Sequence, residues 1–472
     1  MSDRMTETEN GIMEWKIRKR ERENDETGKP VSLTEGSIWK SILYFALPIM
    51  ASNFFQQFYN LVDSIVIGRF ESSEALAAVS SVTPVINLII NMFLGVTTGA
   101  GVVVAIYIGA GDSKATEKSV HTAVILGVLS GIICTVIGIG LAPFIPGWMN
   151  FTAETCVLAT KYLIAYFAGI LPMLMYNMGS SILRAAGDSR RPFYFLVAGG
   201  LLNCVLDILF VAVWKWGVIG AGAASSLAQL MAAMLTMGAL LREKGDCRLE
   251  REKLHLDETV ARQIIRIGLP TGLSNCMFSI SNTLMQTKLN MFGTAAMAGT
   301  GAYMKLDGFL YTMENSFGLT ATTFTGQNLG AGRLDRVKEG TKVAMAYCFL
   351  FVIPLTAVYV LFGKPLMQLF SSDPEVVDYG LQLMHYMAPF GWIYIFTEVL
   401  GCVVRGAGST TIPMTIMILT VCVFRMSMIF AILPFWYDIR VMFLCYPISW
   451  VMSSLCFIVY YRKGNWVRGL RN

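Results

Sequence analysis

The chain has 472 residues, of which 54% are hydrophobic and 15% charged, and its mean hydropathy is +0.56. This balance lies outside the usual range of soluble proteins and indicates a polytopic membrane protein. The net charge of +5 comes from basic residues spread over loops, not from a patch with interleaved aromatics, which argues against nucleic-acid binding.

The chain begins with a polar, charged segment. Its first 35 residues include the stretch EWKIRKRERENDETGK. They hold no short apolar core followed by a cleavage site, so they do not resemble a signal peptide. We expect residues 1–35 to form a cytoplasmic tail.

Apolar runs of about 20 residues, the length that crosses a bilayer as a helix, follow this tail along the whole chain. Their number and spacing predict an all-α polytopic membrane protein with twelve transmembrane helices. The predicted helices lie near residues 38–67, 76–108, 118–142, 155–182, 191–213, 218–242, 260–291, 297–329, 338–362, 376–403, 412–433 and 440–461.

Lys and Arg are distributed unevenly over the loops between these helices. Cytoplasmic loops carry the excess of basic residues in membrane proteins. In a twelve-helix chain most of the 37 basic residues fall on one side: in the tail, in the loops GDSKATEKS, RAAGDSRR, LREKGDCRLEREKLHLDETVAR and GRLDRVKEGTK, and in the end YRKGNWVRGLRN. We therefore predict a multi-pass protein of the plasma membrane with both termini in the cytoplasm.

Sequence motifs recur at a constant distance in the two halves of the chain. GAGD at residue 109 returns as GAGR at 330, and RAAGDSRRP at 184 returns as RGAGSTTIP at 405, so the two pairs of motifs have the same spacing. No strand precedes the glycine turns and no Gly-Lys-Ser/Thr follows them, so they are not nucleotide-binding loops. A six-helix unit is therefore present twice, and parallel repeats of this kind place substrate sites in a central cavity between two pseudo-symmetric bundles. The predicted boundaries are 36–242 for the first bundle, 243–259 for a cytoplasmic linker, 260–462 for the second bundle and 463–472 for a cytoplasmic tail.

Polar residues lie inside two of the predicted helices. In the apolar run GGLLNCVLDILFVAV, at residues 199–213, Asp207 follows Asn203 by one helical turn. Helix 1 carries a second polar face, because four of its polar residues recur at spacings of three and four. These residues are Gln56, Tyr59, Asn60 and Asp63.

Asp63 and Asp207 are expected to share one site. A charged Asp at the bilayer centre costs about 2.5 to 3.5 kcal/mol, and such residues usually face a bundle interior or a water-filled cavity. Two carboxylates in an apolar site cannot both ionise cheaply, since desolvation and mutual repulsion each oppose the charge. We expect at least one proton to be held there and released when water enters. The alternative is that the two carboxylates only join helices by hydrogen bonds.

The residues and motifs resemble those of the multidrug and toxic compound extrusion (MATE) transporters, of the bacterial DinF/NorM-like type. The resemblance extends from about residue 36 to 462. It rests on the six-plus-six repeat, on the GQNLGAGR stretch at 326–333 and the RAAGDSRRP loop, and on ALP and YNLVDSIVIG at the two ends of helix 1. The Asn-x-x-x-Asp of helix 5 completes it.

The resemblance implies an antiporter that expels amphipathic, often cationic compounds in exchange for H+ or Na+, with no cofactor. It also implies that the ion-coupling group consists of Asp63, Asn203 and Asp207, where Na+ is an alternative to a proton. Ser225, in ASSLAQ of helix 6, stands where the family often has Thr.

Pro48 lies in helix 1, fifteen residues before Asp63. A proline within a helix removes one backbone hydrogen bond and permits a bend. The resemblance suggests that protonation biases this bend. A static kink, common in membrane helices, is the alternative.

The second half of the chain does not repeat the acid pair, so we expect a one-sided ion site. It holds other charged residues within its predicted helices. Glu314 and Glu398 are candidates for a cavity that meets a cation. We expect Lys305 and Asp307 to pair near a helix end, and Lys288 to extend towards the interface. At the offset of the repeat, the residues that replace Asp63, Asn203 and Asp207 are Leu284, Phe424 and Met428.

Two other functions compete with antiport. Lys288, Lys305 and Arg425 suit an anionic head group, which favours a flippase for a lipid-linked sugar or another amphipathic lipid. An enzyme is not expected, because His121 and the other two histidines are too dispersed to form a catalytic group. The ten cysteines form no C-x-x-C pair and indicate neither a disulfide framework nor a metal site. We expect small-molecule and lipid partners and a functional monomer.

Overall fold

The structure is a computed structural model, and it describes residues 31–70, 73–149 and 151–468. Within these ranges the chain is almost entirely helical and holds no strand. Most of the predicted tail 1–35, and the last four residues, lie outside the described ranges. The long helices are α1 (Ile38–Phe70), α2 (Ser73–Ala110), α3 (Ser113–Leu141), α4 (Ala153–Ala168 with Ile170–Ala185), α5 (Arg190–Val213), α6 (Gly217–Arg242), α7 (Glu258–Leu289), α8 (Thr294–Gly330), α9 (Leu334–Gln368), α10 (Pro374–Gly406), α11 (Thr411–Ile432) and α12 (Ile439–Lys463).

These helices coincide with the twelve predicted from the sequence. Nine of the described helices are long and apolar enough to cross a membrane, and α4 is a tenth if its two segments, bent by 40°, form one span. α7 and α8 are 32 and 37 residues long but less apolar. In α8 the charged residues Lys305, Asp307 and Glu314 lower the hydropathy. The predicted all-α polytopic membrane protein with two six-helix bundles is confirmed.

Four glycines at helix ends display the internal repeat in the backbone. Gly111 (φ 68°) and Gly332 (φ 73°) follow α2 and α8, and Gly187 (φ 90°) and Gly408 (φ 81°) follow α4 and α10. A left-handed residue of this kind ends many helices, and glycine adopts it without steric cost. The two pairs have the same separation along the chain, so the same turns recur in the first lobe (α1–α6) and in the second lobe (α7–α12).

The first helix of each lobe packs its first half against the other lobe. In α1, Ile42 and Phe45 are fully buried in the hydrophobic core of the second lobe. In α7, Ile264 and Ile267 are buried in a core of the first lobe. Each lobe therefore holds a piece of the other. Internal prolines stand at the far end of both exchanged segments, at Pro48 and Pro270.

α1 runs as one helix through Pro48. The carbonyl oxygen of Pro48 accepts a hydrogen bond from Ser52 Oγ at 2.8 Å. The predicted role of Pro48 in a bend of α1 stays a prediction.

Glycines allow α2 and α7 to approach closely along the seam between the lobes. A Cβ added at Gly95 would lie 2.3 Å from the carbonyl oxygen of Gly268, and one at Gly272 would lie 2.3 Å from that of Met92. Small residues at such seams let two helix backbones touch. Further along α2, a Cβ at Gly109 would lie within 1.9 Å of the Gln327 carbonyl oxygen in α8.

Side-chain hydrogen bonds join the same end of the two lobes. Gln327 Nε2 donates to the Ala185 carbonyl oxygen at 2.7 Å, and Tyr107 Oη donates to Gln263 Oε1 at 2.7 Å. This end carries the linker and most of the basic loops. The lobes are closed there, and we refer to it as the closed end.

Candidate functional site

A cavity of about 310 Å³ lies within the first lobe, among α1, α2, α4, α5 and α6. Its volume falls at the lower end of the range of small-molecule pockets. Aromatic and polar side chains share its wall with small residues of α5 and α6. The polar and aromatic lining residues are Tyr59, Asn60, Asp63, Thr83, Asn87, Tyr162, Tyr166, Asn203, Ser225, Ser226 and Gln229.

Asp63 on α1 and Asp207 on α5 meet at this cavity. Asp63 lines it, and Asp207 is completely buried next to it. The two carboxyl groups are close enough for each to influence the ionisation of the other. No hydrogen-bond donor of the described chain reaches Asp63 Oδ1 or either oxygen of Asp207. Since ionised carboxylates only accept hydrogen bonds, the two groups bond to each other only when one of them holds a proton.

Asn203 lies one turn before Asp207 and also lines the cavity. It is 2% exposed, and its Nδ2 has no acceptor within the described chain. Directly after Asp207 the helix α5 becomes π-helical, over Ile208–Val213. Such wide turns are rare and often occur at functional sites. The buried amide donor and the carboxyl pair therefore form one polar group in an apolar helix bundle.

The polar face of α1 reaches the cavity as the sequence indicated. Tyr59, Asn60 and Asp63 line it, and Gln56 Nε2 donates to Tyr59 Oη at 3.4 Å. Gly200 of α5 makes room for this face, because a Cβ there would lie 3.0 Å from the Tyr59 ring. Ser225 on α6 lines the opposite wall. Of the polar residues that the sequence indicated, five line the cavity, namely Tyr59, Asn60, Asp63, Asn203 and Ser225. Asp207 is buried beside Asp63.

Sequence reasoning missed the contributions of α2 and α4. Thr83 and Asn87 of α2 and Tyr162 and Tyr166 of α4 line the cavity. Each pair is spaced by four residues, which places both members on one helix face. That spacing was the available signal, but two uncharged polar or aromatic residues stand out less than a carboxylate in a membrane helix.

The model of the MatE family matches the chain twice, at residues 48–209 and 270–431. The two matches begin at Pro48 and Pro270, in agreement with the internal repeat to within one position. The chain belongs to the MatE family. MatE proteins are membrane transporters of multidrug efflux, and the resemblance inferred from the sequence is confirmed.

Similar proteins cover nearly the whole MatE chain. It is 27% identical over 443 residues to a protein of Bacillus subtilis described as probable multidrug resistance protein YpnP, covering 93% of this chain and 98% of that protein. It is 26% identical over 402 residues to a protein of Shewanella oneidensis described as an FAD transporter, covering 83% and 86%. A solved multidrug resistance MATE transporter in an outward-facing conformation superposes with a TM-score of 0.86 at 22% identity, covering 92% and 97%.

The two glutamates predicted for a second cavity lie in the second lobe of this MatE transporter, and neither lines the described cavity. Glu314 on α8 and Glu398 on α10 are 4% and 7% exposed. Glu398 Oε1 lies 3.8 Å from Arg405 Nη2 and accepts a hydrogen bond from Cys402 Sγ at 3.4 Å. Glu398 is thus an ion-paired residue. The assignment of both glutamates to a second cavity stays a prediction.

Arg425 on α11 is the largest fully buried side chain of the described chain. Its Nη2 donates to Ser449 Oγ at 2.8 Å, and its guanidinium lies 4.6 Å from the centre of the Tyr446 ring. Tyr446 stands at the repeat-equivalent position of the cavity residue Ser225. The second lobe therefore places a guanidinium beside a large ring where the first lobe has a cavity with carboxylates.

Lys288 and Lys305, the other two basic residues considered for an anionic head group, are not buried. Lys288 Nζ lies 5.3 Å from the centre of the Phe430 ring, a cation–π contact. The expected pair between Lys305 and Asp307 is not formed within the described chain. Asp307 accepts a hydrogen bond from Tyr303 Oη at 3.3 Å instead, and Lys305 is exposed. Residues two apart point to different faces of a helix, which explains the difference.

Proposed function

We propose that this MatE transporter is a cation-coupled antiporter that exports amphipathic or cationic compounds in exchange for H+ or Na+. The observation that carries the proposal is the meeting of Asp63 and Asp207 at the first-lobe cavity. Ionisable residues at this depth in a membrane bundle mark ion and substrate pathways.

The carboxyl pair supports coupling because its charge depends on what fills the cavity. In an apolar site both carboxylates resist ionisation, so the empty pair retains a proton. Water or a cation that enters the cavity favours the ionised form, since an opposite charge nearby stabilises it. A proton and a cationic substrate therefore compete for the same group, and each biases the conformational equilibrium of the transporter.

Sodium is the alternative coupling ion. Asp63, Asp207 and Asn203 all offer oxygen atoms, the ligands that hard cations prefer. All three residues come together at one place in the first lobe. This oxygen set fits a small alkali cation as well as a proton, and only transport under separate gradients distinguishes the two.

The cavity wall supports an amphipathic cation as the substrate. The faces of Tyr59, Tyr162 and Tyr166 attract cations and bury apolar surface. Of the basic residues that would favour an anionic lipid, Lys288, Lys305 and Arg425, none lines this cavity. A flippase for a lipid-linked sugar is therefore the less supported alternative.

The proposed orientation follows from the basic loops. The twelve described helices place the two ends of the described part of the chain, near residues 31 and 468, on one side of the bundle, the closed end. We infer that this side faces the cytoplasm of a plasma-membrane protein, so the cavity would open to the cytoplasm when the lobes separate at the closed end in another part of the cycle.

Transport in proteoliposomes tests the proposal. Efflux of a monocationic dye is measured under an imposed pH gradient and, separately, under an imposed sodium gradient. We expect one of the gradients to drive dye against its concentration gradient, and Asp207→Asn to abolish this. Dye movement that neither gradient drives would refute cation coupling.

A matched control separates charge removal from damage to the fold. Asp307→Asn makes the same change at a membrane-embedded aspartate of the second lobe, which lies outside the cavity. We expect Asp307→Asn to keep gradient-driven transport, with Asp207→Asn inserted and eluting as the wild type does. Equal loss in both variants would assign the effect to the fold and not to coupling.

A further inference from the structure

The segment before α1, residues 31–36, crosses the closed end between the two lobes. We refer to these residues as the strap. Leu33 is fully buried in the hydrophobic core of the second lobe, and Val31 packs against the same core. The strap is therefore an ordered part of the fold that precedes the first membrane helix.

The second lobe holds the strap through its backbone. Arg336 of α9 donates to the carbonyl oxygens of Gly36 at 3.1 Å and Leu33 at 3.3 Å. Asn328 Nδ2 donates to the Leu33 carbonyl oxygen at 3.1 Å. Arg333 Nη1 donates to the Thr34 carbonyl oxygen at 2.6 Å. Hydrogen bonds from charged donors are stronger than neutral ones, so this anchorage is firm.

The upstream end of the strap reaches the first lobe. Val31 N–H donates to the carbonyl oxygen of Gly187, in the turn between α4 and α5, at 3.0 Å. The contact is close, since a Cβ at Gly187 would lie 2.5 Å from the Val31 carbonyl oxygen. Gly187 has a φ of 90°, which glycine adopts without strain. The strap is thus bound to the second lobe through several side chains, and to the first lobe through the hydrogen bond between Val31 and Gly187.

We propose that the strap is a latch that stabilises the closed end and must leave Gly187 when the lobes separate there. Separation of the lobes moves Gly187 with the first lobe and leaves Leu33 with the second, so the bond between Val31 and Gly187 breaks. The latch goes beyond the proposed transport function. Its test involves neither a coupling ion nor a transported compound.

The distance between the lobes at the closed end reports the latch. Nitroxide labels are placed at Lys114 and Lys338, exposed positions at the starts of α3 and α9 on opposite lobes. Double electron–electron resonance in lipid nanodiscs gives the fraction of molecules with separated lobes. The full chain is used, with serine in place of the exposed Cys456 and of Cys156, Cys204 and Cys247, which are half-buried.

Two variants weaken the contact between Val31 and Gly187 in different ways. Gly187→Ala adds a methyl group where the Val31 carbonyl oxygen lies, and Val31→Pro removes the N–H that donates to Gly187. Loss of one such hydrogen bond changes an equilibrium by about three- to tenfold. We expect both variants to raise the ratio of separated to closed molecules by about this factor.

The controls make the same two types of substitution at positions that do not form the contact between Val31 and Gly187. Gly293→Ala places alanine at a similar φ of 103° with no atom within 4 Å of the new Cβ. Ser32→Pro changes the neighbouring strap residue, whose N–H makes no hydrogen bond in the described chain. We expect wild-type distances in both. An equal rise in the controls, or no rise in Gly187→Ala and Val31→Pro, would overturn the proposal.

A milder variant keeps the test decisive if Gly187→Ala and Val31→Pro do not fold. Arg336→Lys retains the charge but cannot reach the carbonyl oxygens of Leu33, Glu35 and Gly36 together. We expect a larger separated fraction than in Lys342→Arg, the opposite exchange further along α9. The absence of any difference between these two variants would also reject the latch.

Discussion

Asp63 and Asp207 belong to different helices, and their carboxyl groups are neighbours at the edge of a cavity that Asp63 lines. The second lobe has no such pair at the equivalent positions, where Leu284 and Met428 stand. The two lobes share a fold, but only the first lobe carries this pair of aspartates. We therefore expect ion coupling to depend on the first lobe.

The first prediction concerns the partner of the buried aspartate. Asp63→Asn leaves Asp207 with a neutral neighbour, so the repulsion that holds a proton on the pair is lost. We expect gradient-driven dye efflux to fall at least about tenfold, together with its dependence on pH or sodium. Efflux under imposed gradients measures this. Coupled transport at the wild-type rate in Asp63→Asn would remove the residue from the ion site.

The second prediction concerns the glutamates of the second lobe. Glu314→Gln and Glu398→Gln remove carboxyl groups that could pair with a cation in a low-dielectric region. We expect a change in which cationic dyes are exported, or in their apparent affinity, and an unchanged dependence on pH or sodium. Dye selectivity and gradient dependence are measured on the same samples. If either glutamine variant transports without coupling while Asp63→Asn stays coupled, the ion site lies in the second lobe.

The sequence predicted the helices well and singled out the two aspartates, for a physical reason. Apolar runs must match the bilayer, so α3 was expected near 118–142 and extends over Ser113–Leu141. A carboxylate within such a run, as at Asp207, needs a polar neighbour, and the cavity supplies Asp63 and Asn203. An ionisable residue within a membrane helix carries a large free-energy cost, and this cost makes its position informative in the sequence alone.

The exchange of helix halves between the lobes was not predictable in the same way. The apolar residues Ile42 and Phe45 of α1 show that one face is buried, but they do not specify which lobe buries it. The seam of Gly95 and Gly272 likewise depends on two segments far apart in the chain. Such pairings arise from tertiary packing, which periodicity within one helix does not encode.

The third prediction concerns this seam. Gly272→Ala would place a Cβ 2.3 Å from the Met92 carbonyl oxygen, so α2 and α7 must move apart. Overpacking of this kind costs about 1 to 3 kcal/mol. We expect a lower thermal midpoint in detergent and a larger separated fraction at the closed end. Gly238→Ala on α6 meets no atom within 4 Å and should be neutral or slightly stabilising. Equal thermal midpoints of Gly272→Ala and Gly238→Ala would contradict the close contact between α2 and α7.

The fourth prediction concerns orientation. Glu252 lies exposed in the linker, which Lys253 fixes to α3 through an ion pair with Glu117 at 2.9 Å. Because basic loops remain in the cytoplasm, a cysteine at Glu252 should react with an impermeant thiol reagent only in inverted vesicles. The exposed native Cys456 is replaced by serine in this experiment. Labelling in intact cells would reverse the proposed topology.

The fifth prediction concerns the start of α7, which Asp257 caps. Its Oδ1 accepts hydrogen bonds from the backbone N–H groups of Thr259 and Val260, both at 3.1 Å, and its Oδ2 lies 3.1 Å from Lys118 Nζ. The Val260 hydrogen bond, followed by Lys118, lowers the pKa of Asp257 from its ordinary value of 3.8. A group whose pKa is lower in the folded state stabilises that state at pH values above its ordinary pKa. This contribution is lost as the pH falls through the pKa of the folded state.

Two substitutions separate the cap from the charge of Asp257. Asp257→Ala removes both and should cost about 1 kcal/mol at neutral pH, the usual value of an N-cap. Asp257→Asn keeps a capping oxygen and should cost less, because only the charge is lost. The difference in thermal midpoint between wild type and Asp257→Asn should narrow as the pH falls from 7 to 3, since the carboxyl group is then protonated. A difference that stays constant over this range would show that the carboxylate charge does not stabilise the start of α7.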